Sequence, residues 1–311
     1  HFLISMLASM LYTSFTTTLK DTMDTEKKMD FYTAGLAIFA MFFGAGNIIF
    51  PLALGLHALN QAPWALAGLL LTAVVMPFAG LLAMFRYQGQ IRLFFSRFGR
   101  IPGLCIALLT IGLLGPFGAA PRCIALAFST ITTSMPNIPL ILFSSFACLS
   151  IFFFACRERR LLKLLGYILS PLKIALLVWI MIKGFIEAPS SIQISCDPSA
   201  FSHFSYGLQE GYNTMDLLAA FFFAPVVLFS LGSSKKDPHF NRFILKASGI
   251  GGFLLAIVYV GFCYLAYLYA PLLQGIPNDQ LLGVIAIKIL GPHAGFIVSL
   301  TVTVACLTTA I

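Results

Sequence analysis

Asp216, Lys173 and Arg122 are ionisable residues set inside long apolar segments, and Thr308 and Thr309 place two hydroxyls in another. A charge at membrane depth costs at least ~2.5 kcal/mol on insertion scales, so such a group faces a cavity or a partner. A further feature lies in the backbone. Gly44-Ala45-Gly46-Asn47 and Pro51 interrupt the uncharged run from Thr33 to Leu56, and these weak helix formers free N–H and C=O groups. In hydrocarbon an unpaired backbone group is costly, so such a break is tolerated where it lines a cavity. Freed amides suit an anionic group; freed carbonyls and hydroxyls suit a small hard cation. The chemistry on offer is reversible binding. The chain has no HExxH, DDxxD-like cluster or GxSxG for a membrane enzyme, and no CxxC pair for a metal.

Each of these residues also has a purely structural reading. Glycine and proline are ordinary kink residues in membrane helices. Asp216 suits a helix N-terminus, and Lys173 can extend along its stem toward the surface. Arg122 can pair locally, and Thr308 and Thr309 can bond back to their own helix. His57 and His293 sit near segment ends and read as interfacial caps.

The elements that must position these groups follow from composition. Hydrophobic residues make up 59% of the 311 residues and charged residues 10%, with a mean hydropathy of +0.94. A soluble domain could not hide that much apolar surface, so the chain is an all-α polytopic membrane protein. Its length allows about eight spans at roughly 20 to 25 residues each. They fall near 33–56, 64–85, 102–133, 139–156, 161–186, 212–233, 247–272 and 292–311. The net charge of +8 forms no basic stripe with interleaved aromatics, which excludes nucleic acid as partner. Basic residues instead fill alternate loops, for example Arg86 to Arg100, Arg157 to Lys163 and Lys235 to Lys246. The positive-inside rule puts those loops and the N-terminal tail in the cytoplasm. The seven cysteines lie mostly in apolar segments and read as small buried residues. No cofactor is expected, and the sequence names no protein partner.

The first and sixth spans can be overlaid at a fixed offset, with Phe42 on Phe222, Phe43 on Phe223, Gly44 on Ala224 and Ala45 on Pro225. An odd number of spans separates them, so the two halves insert in opposite senses. That pattern suggests inverted repeats whose first helices are each unwound at mid-membrane.

The segments FAMFFGAGNIIFP, GPFGAAPR, PLKI, EGYNTMD and ACLTTAI occur in that order. Together they resemble the branched-chain amino acid:cation symporters, from about Asp30 to Ile311. The resemblance implies a bacterial inner-membrane importer of leucine, isoleucine and valine with a cytoplasmic N-terminus. It also implies the five-plus-five inverted-repeat fold of the leucine/neurotransmitter-type transporters, with helices 1 and 6 broken. Residues 1–30 would then be a disordered leader or tail, 31–190 the first repeat, and 191–311 an incomplete second repeat. Ala45, Gly46 and Asn47 would meet the substrate carboxylate, and Phe222, Phe223 and Ala224 its aliphatic side chain. Thr308 and Thr309, with carbonyls near Ala40 and Phe43, would hold sodium. Lys173 leaves a proton open as the alternative coupling ion; Asp216 and Arg122 are further coupling or gating candidates. The chain stops at Ile311 inside an apolar run, which suggests truncation and a non-transporting fragment as the alternative reading.

Overall fold

A computed structural model of the chain describes residues 31–44, 46–133, 135, 137–156, 174–188, 199–230 and 240–310. Lys173 and Ala45 lie outside the described residues, as does the whole of 1–30; so do the side chains of Thr308, Thr309 and His293.

The described chain is helical. Helix α1 (Phe31–Phe42) and α2 (Gly46–Ala58) form the first segment. A turn at Leu59–Gln61, where Leu59 takes φ 45, leads into α3 (Ala62–Leu70). A π-helical turn at Leu71–Val75 joins α3 to α4 (Met76–Arg86). Thr72 lies within it, donating to Gly68 O at 3.1 Å and to Leu208 O of the packed sixth segment at 3.0 Å, and such side-chain bonds loosen the i→i−4 ladder. Short α5 (Ile91–Phe95) precedes α6 (Arg100–Leu114) and α7 (Ala119–Thr132). Then come α8 (Leu140–Cys156) and α9 (Ile174–Ile186). The second half holds α10 (Ala200–Asn213), α11 (Asp216–Ser230) and α12 (Phe240–Leu268). It ends with α13 (Ala270–Leu273) and α14 (Leu281–Ala310), the last kinked at Gly291 (φ 81).

Among the described residues, four helical stretches are long and apolar enough to cross a membrane: Gly46–Arg86, Arg100–Thr132, Ala200–Leu228 and Arg242–Leu268. Several expected boundaries shift. The third segment is interrupted between Leu114 and Ala119, in the GPFG stretch. The sixth begins at Ala200, earlier than expected from hydropathy, because the serines and Glu210 of α10 dilute its apolar signal. Its break is also elsewhere. The helix stops at Thr214–Met215, and Phe222, Phe223, Ala224 and Pro225 all lie inside unbroken α11. The overlay that put the break at Ala224–Pro225 is therefore corrected. Thr214 explains the new position: its hydroxyl donates to Gly211 O at 2.8 Å and accepts from the Asp216 amide at 3.4 Å, while Met215 takes φ 61. A side chain that offers the backbone such partners competes with the helix. Pro225 removes one amide but leaves the helix intact, as prolines in membrane helices often do.

The long α12 lies along both α1 and α2, and so braces the first break from end to end. Helix α10 packs on α3, α11 on α4, and α14 on α7. The α14–α7 contact carries a bond from Thr303 to Ala127 O at 3.2 Å, and Ser129 of α7 meets Asp279 just before α14. Glycine sets the closest approaches. A Cβ on Gly55 would lie 2.0 Å from Cys263 O, and one on Gly207 2.0 Å from Ala65 O. Small residues bring backbones together where dispersion is the main attraction between helices.

Gly207→Ala is expected to push α10 off α3 and destabilise the fold by about 1–3 kcal/mol. Gly249→Ala, where an added Cβ meets nothing within 4 Å, is expected to leave stability unchanged or raise it by up to ~1 kcal/mol. Thermal unfolding of the two variants in one detergent checks this; equal melting temperatures would refute the packing argument.

Candidate functional site

Two helix breaks meet where α12 crosses them. At the first, α1 ends at Phe42 and α2 begins at Gly46. The Gly44 amide turns back to Phe42 O at 2.9 Å, so the Ala40 carbonyl loses the i+4 donor that a continuing helix would supply. At the second, α10 ends at Asn213 and α11 begins at Asp216.

One buried carboxylate ties the breaks together. Asp216 Oδ2 accepts from Asn47 Nδ2 at 2.9 Å and from Tyr259 Oη at 2.9 Å. Asn47 Nδ2 also donates to Phe42 O at 2.8 Å. The asparagine thus joins the end of α1 to the start of α11, and Tyr259 anchors both to α12. Asp216 is 5% exposed, Asn47 1% and Tyr259 0%. Neutral donors hold the acid: the ion pair found among the described residues is Lys183–Glu187, far from it in sequence.

Arg122, near the start of α7, serves the other side of the second break. Its Nη1 donates to Asn213 O at 2.5 Å, and its guanidinium lies 4.1 Å above the Phe50 ring of α2. A Cβ built on Gly46 would come within 3.8 Å of Nη2, so the arginine borders the first break too. The electrostatics of the breaks now differ. A helix carries about half a positive charge at its N-terminus and half a negative one at its C-terminus. At the second break Asp216 sits on the N-terminus of α11 and Arg122 on the C-terminal carbonyl of α10, each of compensating sign. At the first break the same two residues stand back from the backbone: Asp216 reaches α2 through the Asn47 side chain, and Arg122 lies over the Phe50 ring. The α2 N-terminus, with Arg122 beside it, favours an anion; the α1 C-terminus, with its Ala40 carbonyl, favours a cation.

Apolar groups close the surroundings. Phe42 stacks on Phe78 at 5.1 Å and meets Phe223 edge-on at 5.3 Å. Phe39 stacks on Phe43 at 5.2 Å. Of the residues expected at the site, the structure brings Gly46, Asn47, Asp216 and Arg122 together, with Phe223 on the aromatic wall. Ala224 is fully buried inside α11, two helical turns past the break. Phe222 is half-buried on the same helix. Ala40 and Phe43 flank the first break, the latter 3% exposed. His57 is exposed in the last turn of α2, where an end cap is expected, and it also stacks on Tyr206 at 4.2 Å, with the His203 ring 5.8 Å away. Tyr259 was missed from sequence. Its signal is a phenol in mid-span, which needs a hydrogen-bond partner when buried.

The family profile described as branched-chain amino acid transport protein matches residues 27–311. The chain is 28% identical over 290 residues to the branched-chain amino acid permease of Bacillus subtilis, covering 89% of this chain and 65% of that protein. It is 30% identical over 302 residues to a putative branched-chain amino acid carrier protein of Staphylococcus epidermidis, covering 89% and 66%. A permease of Escherichia coli K12 with the same description is 27% identical over 291 residues, covering 92% and 66%. The chain therefore spans about two thirds of the length of these relatives.

Tyr259→Phe removes one donor from the buried carboxylate and is expected to cost about 1–3 kcal/mol of stability. Asn47→Ala removes bonds at both breaks and is expected to cost more. Denaturant or thermal unfolding of the two variants decides it; a Tyr259→Phe protein as stable as the parent would show the phenol to be unimportant to the cluster.

Proposed function

The chain belongs to the branched-chain amino acid transport protein family, and on that premise we propose that it binds leucine, isoleucine and valine at the first helix break and moves them by alternating access with a cation. It is a multi-pass helical membrane protein, and the bilayer proposed for it is the bacterial inner membrane with the N-terminus inside. The observation that carries the reading is the asymmetry of the two breaks: Asp216 and Arg122 sit directly on the helix ends of the second, whereas they reach the first only through side chains and leave it an anion-favouring and a cation-favouring helix end. A zwitterion with a cation fits that pair of ends. The Gly46 and Asn47 amides take the carboxylate, with Ala45 as the third residue assigned to it. Phe42 and Phe223 supply an apolar wall for a side chain without charge, with Phe222 and Ala224 farther along α11.

Sodium is the favoured coupling ion. The Ala40 carbonyl, released from its helical partner, is a hard oxygen ligand. Phe43 lies beside it, and Thr308 and Thr309 on α14 are the hydroxyl candidates for the remaining ligands. A proton carried by Lys173 is the rival. The two cations would not share one small site, since like charges ~4 Å apart repel by about 4 kcal/mol at an effective dielectric of 20. The five-plus-five inverted repeat, with a first unit to about residue 190, is part of the same proposal.

Three measurements test this. In the purified chain, leucine, isoleucine and valine are expected to displace one another, while lysine and glutamate do not; binding of a charged amino acid without branched-chain competition would refute the substrate class. Gly46→Leu, whose Cβ already approaches Phe50 Cε2 at 3.3 Å, is expected to abolish leucine binding while the protein still inserts and stays helical. Sodium is expected to raise leucine affinity at fixed pH, and Thr309→Ala to lose that dependence while Lys173→Met keeps it. Affinity indifferent to sodium, varying with pH and lost in Lys173→Met, would make the proton the coupling ion.

A further inference from the structure

A groove of about 330 Å³ runs between α4 with its preceding π-helical turn and the first half of α12. Val74, Phe78 and Leu82 form one wall. On the other, Leu245, Gly249, Gly252 and Ala256 follow one face of α12 at helical spacing. Two things about it are unexplained by the packing of this chain. The glycines are not demanded by a neighbour: a Cβ on Gly249 meets nothing within 4 Å, and one on Gly252 makes only ordinary 3.5 Å contacts with Phe78 and Val74. Glycine is a weak helix former beside alanine, so these positions keep space open for something else. Ser248, in the same wall, is 3% exposed, and among the described residues its hydroxyl has no hydrogen-bond partner.

The mouth of the groove is basic. Arg242 lies on the groove face of α12, one turn before Leu245, and is exposed. Arg86, at the end of α4, is exposed at the same end; Lys246 is there too, with its ammonium 5.6 Å from the Phe31 ring of α1. Ser248 is ~9 Å farther along the axis at 1.5 Å per residue. Charge, a lone buried donor and an apolar trough thus succeed one another from the helix end toward its middle. An acyl tail alone offers Ser248 no acceptor, and a neutral helix offers Arg242 no counter-charge.

We propose that this groove binds one anionic phospholipid of the cytoplasmic leaflet. Its phosphate lies at Arg242, an ester carbonyl accepts from the Ser248 hydroxyl, and one acyl chain lies along Gly249, Gly252 and Ala256 against Val74 and Phe78. Positive-inside orientation puts the basic mouth in the leaflet whose surface is negative. The groove adjoins the first break through Phe78, which stacks on Phe42, but lipid retention does not require a ligand at the breaks.

The test is native mass spectrometry of the purified 311-residue chain, equilibrated in detergent with equal phosphatidylglycerol and phosphatidylcholine. The expected result is one retained phosphatidylglycerol in preference to phosphatidylcholine. Gly249→Leu fills the trough and abolishes retention of both, with helical content and melting temperature as the folding control. Arg242→Gln lowers phosphatidylglycerol retention about fivefold and leaves phosphatidylcholine unchanged. Ser248→Ala weakens both lipids alike. Equal retention of the two lipids by the parent chain, or retention unaltered in Gly249→Leu, would overturn the site. A dimer that dissociates in Gly249→Leu while lipid retention stays constant would assign the groove to a second copy and overturn it equally.

Discussion

Backbone polar groups released in an apolar interior must find partners, and the rest of this structure is arranged around that constraint. Two helices are broken at the same place, and each break exposes carbonyls on one side and amides on the other. The Asp216 carboxylate, held by Asn47 and Tyr259, answers for several of these groups at once. Asn47 takes the Phe42 carbonyl, and Asp216 sits on the free end of α11. Remove the acid and two buried donors, Asn47 on α2 and Tyr259 on α12, each lose a partner. A network of this kind is strong when complete and costly when partial.

That cluster needs a rigid frame, and small residues supply it. Helix α12 can lie along the broken first segment only because Gly55 lets Cys263 O approach and Gly35 accommodates Ile250. Helix α10 reaches α3 through Gly207 and Gly68 in the same way. The uninterrupted α12 then fixes Tyr259 at the height of the breaks. A continuous helix braces two discontinuous ones, which keeps irregular backbone buried in protein and away from lipid. The proposed transport reading uses this frame directly: the second break is neutralised internally, so the first is left to bind.

Much of this was legible without coordinates. The apolar runs and the alternating basic loops specify a multi-pass helical protein, because a bilayer leaves few other ways to satisfy a backbone. The Gly44 to Asn47 cluster marks the first break, since its residues are poor helix formers at a depth that demands good ones. Charged residues in apolar stretches pointed to Asp216 and Arg122, since burying a charge without a partner is expensive. Composition cannot give partners. That Asp216 would meet Asn47 and Tyr259, and that Arg122 would cap Asn213, follows from how α2, α7, α10, α11 and α12 cross.

The second break shows the division most sharply. By itself the sequence determined that the sixth segment carries helix-breaking residues, and its overlay on the first segment put the break at Ala224–Pro225. Tertiary structure moved it to Thr214–Met215. Within α11 a missing proline amide costs one hydrogen bond, and the packed helix absorbs it. At Thr214–Met215 the side chain of Thr214 replaces the lost backbone bonds, and Asp216 gains two donors from distant helices. Those donors lie 169 and 43 positions away along the chain, and no local propensity can report an interaction that only folding brings within reach.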